Sequence, residues 1–411
     1  MVKTTATASA MSSSSSEVES EAELIPSFPN DIALNIFARV PRSYHRTLSL
    51  VSKPIRSLLL SLRFFDARIA LHSTDPIFYL TSSDTRDSWY ALYRNPFNPS
   101  LFAPFRIPPI PSSSHLFDAA FAVVGPNIYV IGGTVCGSIP SSEMTSFFCY
   151  GRGGVPSSSV WVLDCRFNRW EEGPTMLAAR SHAIANVVDG KIYVMGGSNS
   201  RIMAEMLDPA VGKWVELPCP FMIDKPTQIK QWIYLTDVCG ERKWVEHACP
   251  SVNLDSVRGE ASAVVDDKVY INTEVGEEVY HQVVFDARSG KWECVVERED
   301  KLYLGSVLVD GVLYKYNPRG KIGGFDVKVR VWKESDYIDE GWRRAENDTL
   351  SILAYADGKF YLIWGDDTVK CHEIEVKWNG DGELLARICS TQEIVSIPRH
   401  YAKHHCLTVF L

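Results

Sequence analysis

The side chains of this 411-residue chain best suited to metal binding or nucleophilic attack are its ten cysteines and ten histidines. The cysteines stand at 136, 149, 165, 219, 239, 249, 294, 371, 389 and 406, with no Cys-x-x-Cys pair, the close spacing that zinc sites ask for. The densest group is His400, His404, His405 and Cys406. It leads into an apolar run of strand length, where neighbouring residues point to opposite faces, so it reads as a loop or strand edge rather than a ligand set. The carboxylate pairs Asp266-Asp267 and Asp366-Asp367 lie beside hairpin signals, where turn chemistry accounts for them. No Gly-x-Ser-x-Gly, Gly-x-x-x-x-Gly-Lys or His-Glu-x-x-His occurs. These residues read as a chain with no catalytic centre, metal site or cofactor of its own, whose chemistry is that of binding.

Two kinds of element would position binding residues. From about residue 75 onward the pattern is short β-rich runs split by Gly, Pro, Asn and Asp. The clearest unit runs from Arg180 through Asp189-Gly190, a hairpin turn, to Tyr193, Gly196-Gly197, Asp208 and Trp214. Similar units centre on Tyr129 with Gly132-Gly133 and Trp170, Tyr270 with Trp292, Tyr314 with Trp332, and Tyr361 with Trp378. Pro76–Leu80 with Trp89–Tyr93 forms a weaker opening unit, which makes six. Five or seven stay open, because residues 220–250 carry their own Trp232 and Trp244 and read as a degenerate unit or an insertion. Residues 136–160, rich in Ser and Gly, read as a loop. The repeated Tyr and Trp read as packing between units rather than as a stacking surface for a ligand. The last run, Cys406–Leu411, reads as a strand returning to the first unit.

Ahead of the repeats, residues 28–62 carry helical periodicity. Pro29 suits a first helical turn, where its missing N–H costs nothing. Ile32, Ala33, Ile36, Phe37 and Val40 recur at three- and four-residue steps along one broad stripe. Ser43 is placed to cap a second helix through Val51, and Ser52 a third with Pro54 near its start. The net charge of −8 and pI of about 5.7 give no general attraction to nucleic acid or to an anionic membrane. No apolar run approaches the eighteen residues of a membrane span. Residues 1–23, Ser/Thr/Ala-rich and ending in alternating glutamates, read as disordered; a transit peptide is the competing reading, weakened by the lack of arginine. With no secretory signal, free thiols in a reducing cytoplasm or nucleus are expected.

Residues 28–53 resemble the F-box, a trihelical module of about forty residues that binds the Skp-type adaptor of cullin-RING ubiquitin ligases. Leu48-Ser49-Leu50-Val51-Ser52-Lys53 matches the family's Leu-x-x-Val-Ser-Lys signature, and Pro29 with Asp31 matches its Leu-Pro-acidic opening. Phe28 replaces the usual leucine, and Pro54 is less usual. The repeats resemble kelch units, each one four-stranded blade of a β-propeller. The repeat tyrosines are spaced 64, 77, 44 and 47 residues apart, around the kelch period of roughly fifty once insertions are allowed. Only Tyr129 and Tyr193 are followed at kelch spacing by Gly-Gly; the last three units are degenerate.

The resemblance implies a small all-α F-box at residues 24–66 and an all-β kelch propeller of six blades at 75–411. It looks like the plant group of F-box/kelch substrate receptors in Skp-cullin-F-box ligases. It implies adaptor contacts at Phe28, Pro29, Ile32, Ile36, Phe37, Leu48, Val51, Ser52 and Lys53. It also implies a target protein held at the propeller mouth by residues about thirteen before each repeat tyrosine: His115, Arg180, His182, Arg258 and Lys301, with Asn347 and Asp348 in the last unit. Mostly basic, these would suit an acidic or phosphorylated segment. The alternative is a kelch scaffold with no ligase role; copper-oxidising propellers are a distant third.

Overall fold

The computed structural model describes residues 23–82, 89–98, 100–111, 115–136, 154–198, 200–217, 230–236, 242–248, 262–274, 280–297, 304–317, 320–326, 331–336, 338, 350–365, 368–396 and 404–411. The chain divides into two units, Met1–Val40 with Tyr44–Ser73, and Pro41–Ser43 with Thr74–Leu411.

The first unit is helical. Pro29 sits at the N-cap of α1 (Asn30–Ala38), and its carbonyl accepts from Ile32 N and Ala33 N at 3.1 and 3.0 Å. The apolar stripe expected on α1 divides in two. Ala33, Leu34, Phe37 and Ala38 are buried, whereas Ile32 and Ile36 are not. The second helix is shorter than its pattern predicts: a 3-10 turn at Arg42–Tyr44 precedes α2 (His45–Leu48), and no side chain caps it. Ser52 caps α3 (Lys53–Leu59) as its sequence predicts, its hydroxyl accepting from Ile55 N at 3.2 Å. The expectation of three helices is corrected by a fourth, α4 (Leu62–Ala70), capped by Ser61. Its Phe64 and Phe65 are buried, as are Ile55 and Leu59 of α3, and α4 lies against both α1 and α3. Arg68, fully buried, donates to the carbonyls of Ala38 and Val40 at 2.8 and 2.7 Å, a cation at the end of α1 where the helix dipole favours one.

The second unit is built from antiparallel sheets, six of them four-stranded among the described residues. The first sheet joins Pro76–Ser82, Tyr90–Arg94 and Phe102–Arg106 to the chain's last strand, His404–Phe410. That strand pairs along its whole length, from Pro76 opposite Phe410 to Ser82 opposite His404. The other five start at Ala120, Ile184, Ser262, Leu304 and Leu350; the last four are hairpin successions, and in the one from Ala120 strands Thr134–Cys136 and Val155–Pro156 of another sheet intervene between Asn127–Ile131 and Val160–Asp164. One edge strand of each sheet touches that of the next, and Leu350–Ala356 touches His404–Phe410, so the succession closes on itself. This is a closed β-propeller, shut by its C-terminal strand.

Apolar side chains fill the spaces between neighbouring sheets. Ile77 and Tyr79 of the first pack with Ile128 and Val130 of the second; Ile131 and Val160 of the second pack with Val194 and Trp214 of the third; Tyr193 of the third packs with Val269 and Phe285 of the fourth. Tyr314 of the fifth meets Leu362 of the sixth, and Tyr361 and Ile363 of the sixth meet Phe78 and Leu92 of the first. Each fully buried side chain of this size contributes about 1.5–3 kcal/mol by leaving water. Tyr193, Tyr314, Tyr361 and Trp214 thus serve packing, whereas Trp378 is 37% exposed. Trp214 and Trp378 also donate through Nε1, to Pro174 O at 2.7 Å and to Tyr314 Oη at 2.9 Å.

Residues 220–250 hold one described hairpin, Lys230–Thr236 with Arg242–Ala248, which touches the fourth sheet's outer strand. Of residues 136–160, expected as a loop, 137–153 lie outside the described residues, and Cys136 and Val155–Pro156 at its ends belong to a small three-stranded sheet made by His115–Phe117, Thr134–Cys136 and Val155–Pro156.

Candidate docking sites

The helical unit presents apolar side chains to solvent. Phe28, Ile32 and Ile36 are 39, 49 and 47% exposed, spaced to lie on the outer side of α1 and its approach. Pro29 and Lys53 are exposed, and Leu48 and Ser52 half-buried. At the α2–α3 turn, Val51 is 66% exposed and Leu50, which the motif positions passed over, 81%. Phe37 is turned into the core, which corrects its expected place on this face. A small unit that already has a core of its own gains nothing in stability from exposed Ile32, Ile36, Leu50 and Val51. Exposed apolar side chains grouped in this way are a feature of interaction surfaces.

The second site is the end of the propeller where the loops leading into the innermost strands lie. Arg180 sits in one of them, but its side chain is fully buried. Its Nε donates to Glu205 Oε1 at 2.8 Å, and its Nη atoms donate to the carbonyls of Gly196, Met203 and Ile202. Glu205, equally buried, accepts from Leu177 N at 2.7 Å through Oε2. The expectation of a solvent-facing cation at 180 is therefore corrected: this guanidinium ties together the backbone of the third sheet's end.

His182, two residues on, does face outward. Its backbone lies in the left-handed region at φ 58°, its side chain is 38% exposed, and its Nε2 is 3.3 Å from Asp118 Oδ2. Asp118 holds the same place before the second sheet, also left-handed at φ 52°, and its carbonyl accepts from His182 N at 2.9 Å. His115 lies in the small sheet, opposite Cys136. Arg258, Lys301, Asn347 and Asp348 lie outside the described residues.

The Gly-Gly pairs after the second and third sheets' second strands allow these loops to close in. A Cβ on Gly197, at φ 63°, would fall 2.2 Å from Ser181 O, and one on Gly132, at φ 65°, 2.6 Å from Arg180 O. Burial pushes the thiols of Cys165 and Cys371 up to about 12, so neither is a nucleophile near neutral pH.

Comparison with known proteins places this geometry. Residues 25–66 match the F-box domain and residues 89–245 the kelch-repeats domain described as FKB95. An F-box/kelch-repeat protein of Arabidopsis thaliana is 34% identical over 388 residues, covering 90% of this chain and 86% of that protein. The chain belongs to the F-box/kelch-repeat family. A second Arabidopsis F-box/kelch-repeat protein is 30% identical over 425 residues, covering 95% of this chain and 94% of its own. In F-box terms, the outward side of α1 and the Leu48–Lys53 segment carry the module's signature positions. In kelch terms, His182 and Asp118 stand at one end of adjoining blades.

Proposed function

We propose that this F-box/kelch-repeat protein is the substrate-recognition subunit of a Skp-cullin-F-box ubiquitin ligase. The F-box docks the Skp-type adaptor and the propeller holds a target protein for ubiquitination. The observation that carries this reading is the outward apolar set Phe28, Ile32 and Ile36 beside Pro29, in a unit whose core is complete without them. The contribution is proximity: holding the target near a conjugating enzyme borne by other subunits raises its effective concentration, with no covalent step by this chain. Its propeller has six blades, and its mouth, with His182 and the expected His115, Arg258 and Lys301, takes the target. The protein works in the cytoplasm, the nucleus or both.

The test is binding of the full chain to a purified Skp-type adaptor. Ile32→Asp with Ile36→Asp should abolish binding while thermal unfolding of the propeller stays unchanged, since interface anchors of this kind each cost more than about 1 kcal/mol when removed. Folded wild-type protein that ignores the adaptor would leave a kelch scaffold with no ligase role.

A further inference from the structure

We infer that Leu50 is a second, independent anchor of the adaptor interface, inserted into an apolar pocket whose rim carries carboxylates. This rests on the adaptor reading above and adds a residue and a partner chemistry to it.

Among the described residues Leu50 is the most exposed large apolar side chain of the helical unit, at 81%, with Val51 beside it at 66%. It is not on a loose tip. Leu50 N donates to Thr47 O at 3.1 Å, Val51 N to Leu48 O at 3.0 Å, Ser49 N to His45 O at 2.8 Å, and Ser49 Oγ to Arg46 O at 2.6 Å. Ser52, capping α3, fixes the other side. The side chain is held out by a turn that is already ordered, so a partner that buries it pays little of the usual ordering cost.

The charge around it is one-sided. On a chain of net charge −8, residues 32–65 contain Arg39, Arg42, Arg46, Lys53, Arg56 and Arg63 and not one Asp or Glu. Arg63 is answered by Asp31 at 2.6 Å. Arg46, Lys53 and Arg56, nearest Leu50 in sequence, are exposed and among the described residues engage no carboxylate. An exposed apolar side chain flanked in sequence by three exposed cations fits an apolar pocket rimmed by acids. Leu50 belongs to the α2–α3 turn and Ile32 and Ile36 to α1, two separate elements, so the two anchors should act independently.

The experiment measures affinity of the full chain for a purified Skp-type adaptor, with thermal unfolding as control; a side chain this exposed leaves the fold intact when truncated. Leu50→Ala should weaken binding about tenfold, Leu50→Asp more, and the effects of Leu50→Ala and Ile36→Ala should multiply. Lys53→Glu with Arg46→Glu should weaken it further and flatten its decline with added salt. Normal affinity in Leu50→Ala, with Ile36→Ala weakened, overturns this inference and leaves the adaptor reading standing. No binding by the folded wild type overturns both.

Discussion

Arg180 shows how burial reassigns a cation. Its position before a repeat tyrosine suggests a charge offered to a target, yet the folded chain encloses it with Glu205 and three carbonyls. Removing one partner of such a pair leaves an uncompensated buried charge. Arg180→Met should therefore destabilise the propeller by about 3–5 kcal/mol in equilibrium denaturation, and Arg180→Met with Glu205→Leu by less than either change alone. An Arg180→Met protein of wild-type stability would mean that this pair does not hold the third sheet's end. His182 escapes enclosure because its left-handed backbone turns it outward, where Asp118 stands beside it.

At the scale of elements, the Gly-Gly pairs act as close-approach points, and two kinds of glycine can be told apart. Gly197 combines φ 63° with a Cβ position 2.2 Å from Ser181 O; Gly190, at φ 71° in the Asp189-Gly190 hairpin, has nothing within 4 Å. Gly197→Ala should lower stability by more than about 1 kcal/mol, because strain at positive φ and collision with backbone add together. Gly190→Asn should cost clearly less, asparagine being tolerated in that turn. Denaturation midpoints of the two variants decide it; equal midpoints would remove the close-approach argument. The helices show the complementary case. One period along α1 supplies residues to two sides, so the same apolar stripe yields a core with Phe37 and a docking face with Ile32 and Ile36.

For the whole molecule, the return of His404–Phe410 to the first sheet makes stability a shared property. The strand supplies an edge to Pro76–Ser82 and contacts the sixth sheet as well, so its loss exposes two interfaces at once. A chain ending at residue 403 should unfold the propeller cooperatively at a much lower temperature, seen by calorimetry. Loss of only a small local part of the transition would show that the ring does not depend on this closure.

Local sequence alone determined most of the repeat strands and much of the architecture. Hairpin turns need positive φ, and Asp189-Gly190, Asp310-Gly311 and Asp357-Gly358 supply it; strand alternation and helix periodicity then place each run, and the Leu48–Lys53 signature with Pro29 marks the helical unit. Tertiary structure decided which side of each element faces out. Periodicity names a face but not its neighbour, so it could not separate Phe37 from Ile36, enclose Arg180 rather than His182, add α4, or single out Leu50. Those outcomes depend on what packs opposite, and that is supplied by residues far away in the chain.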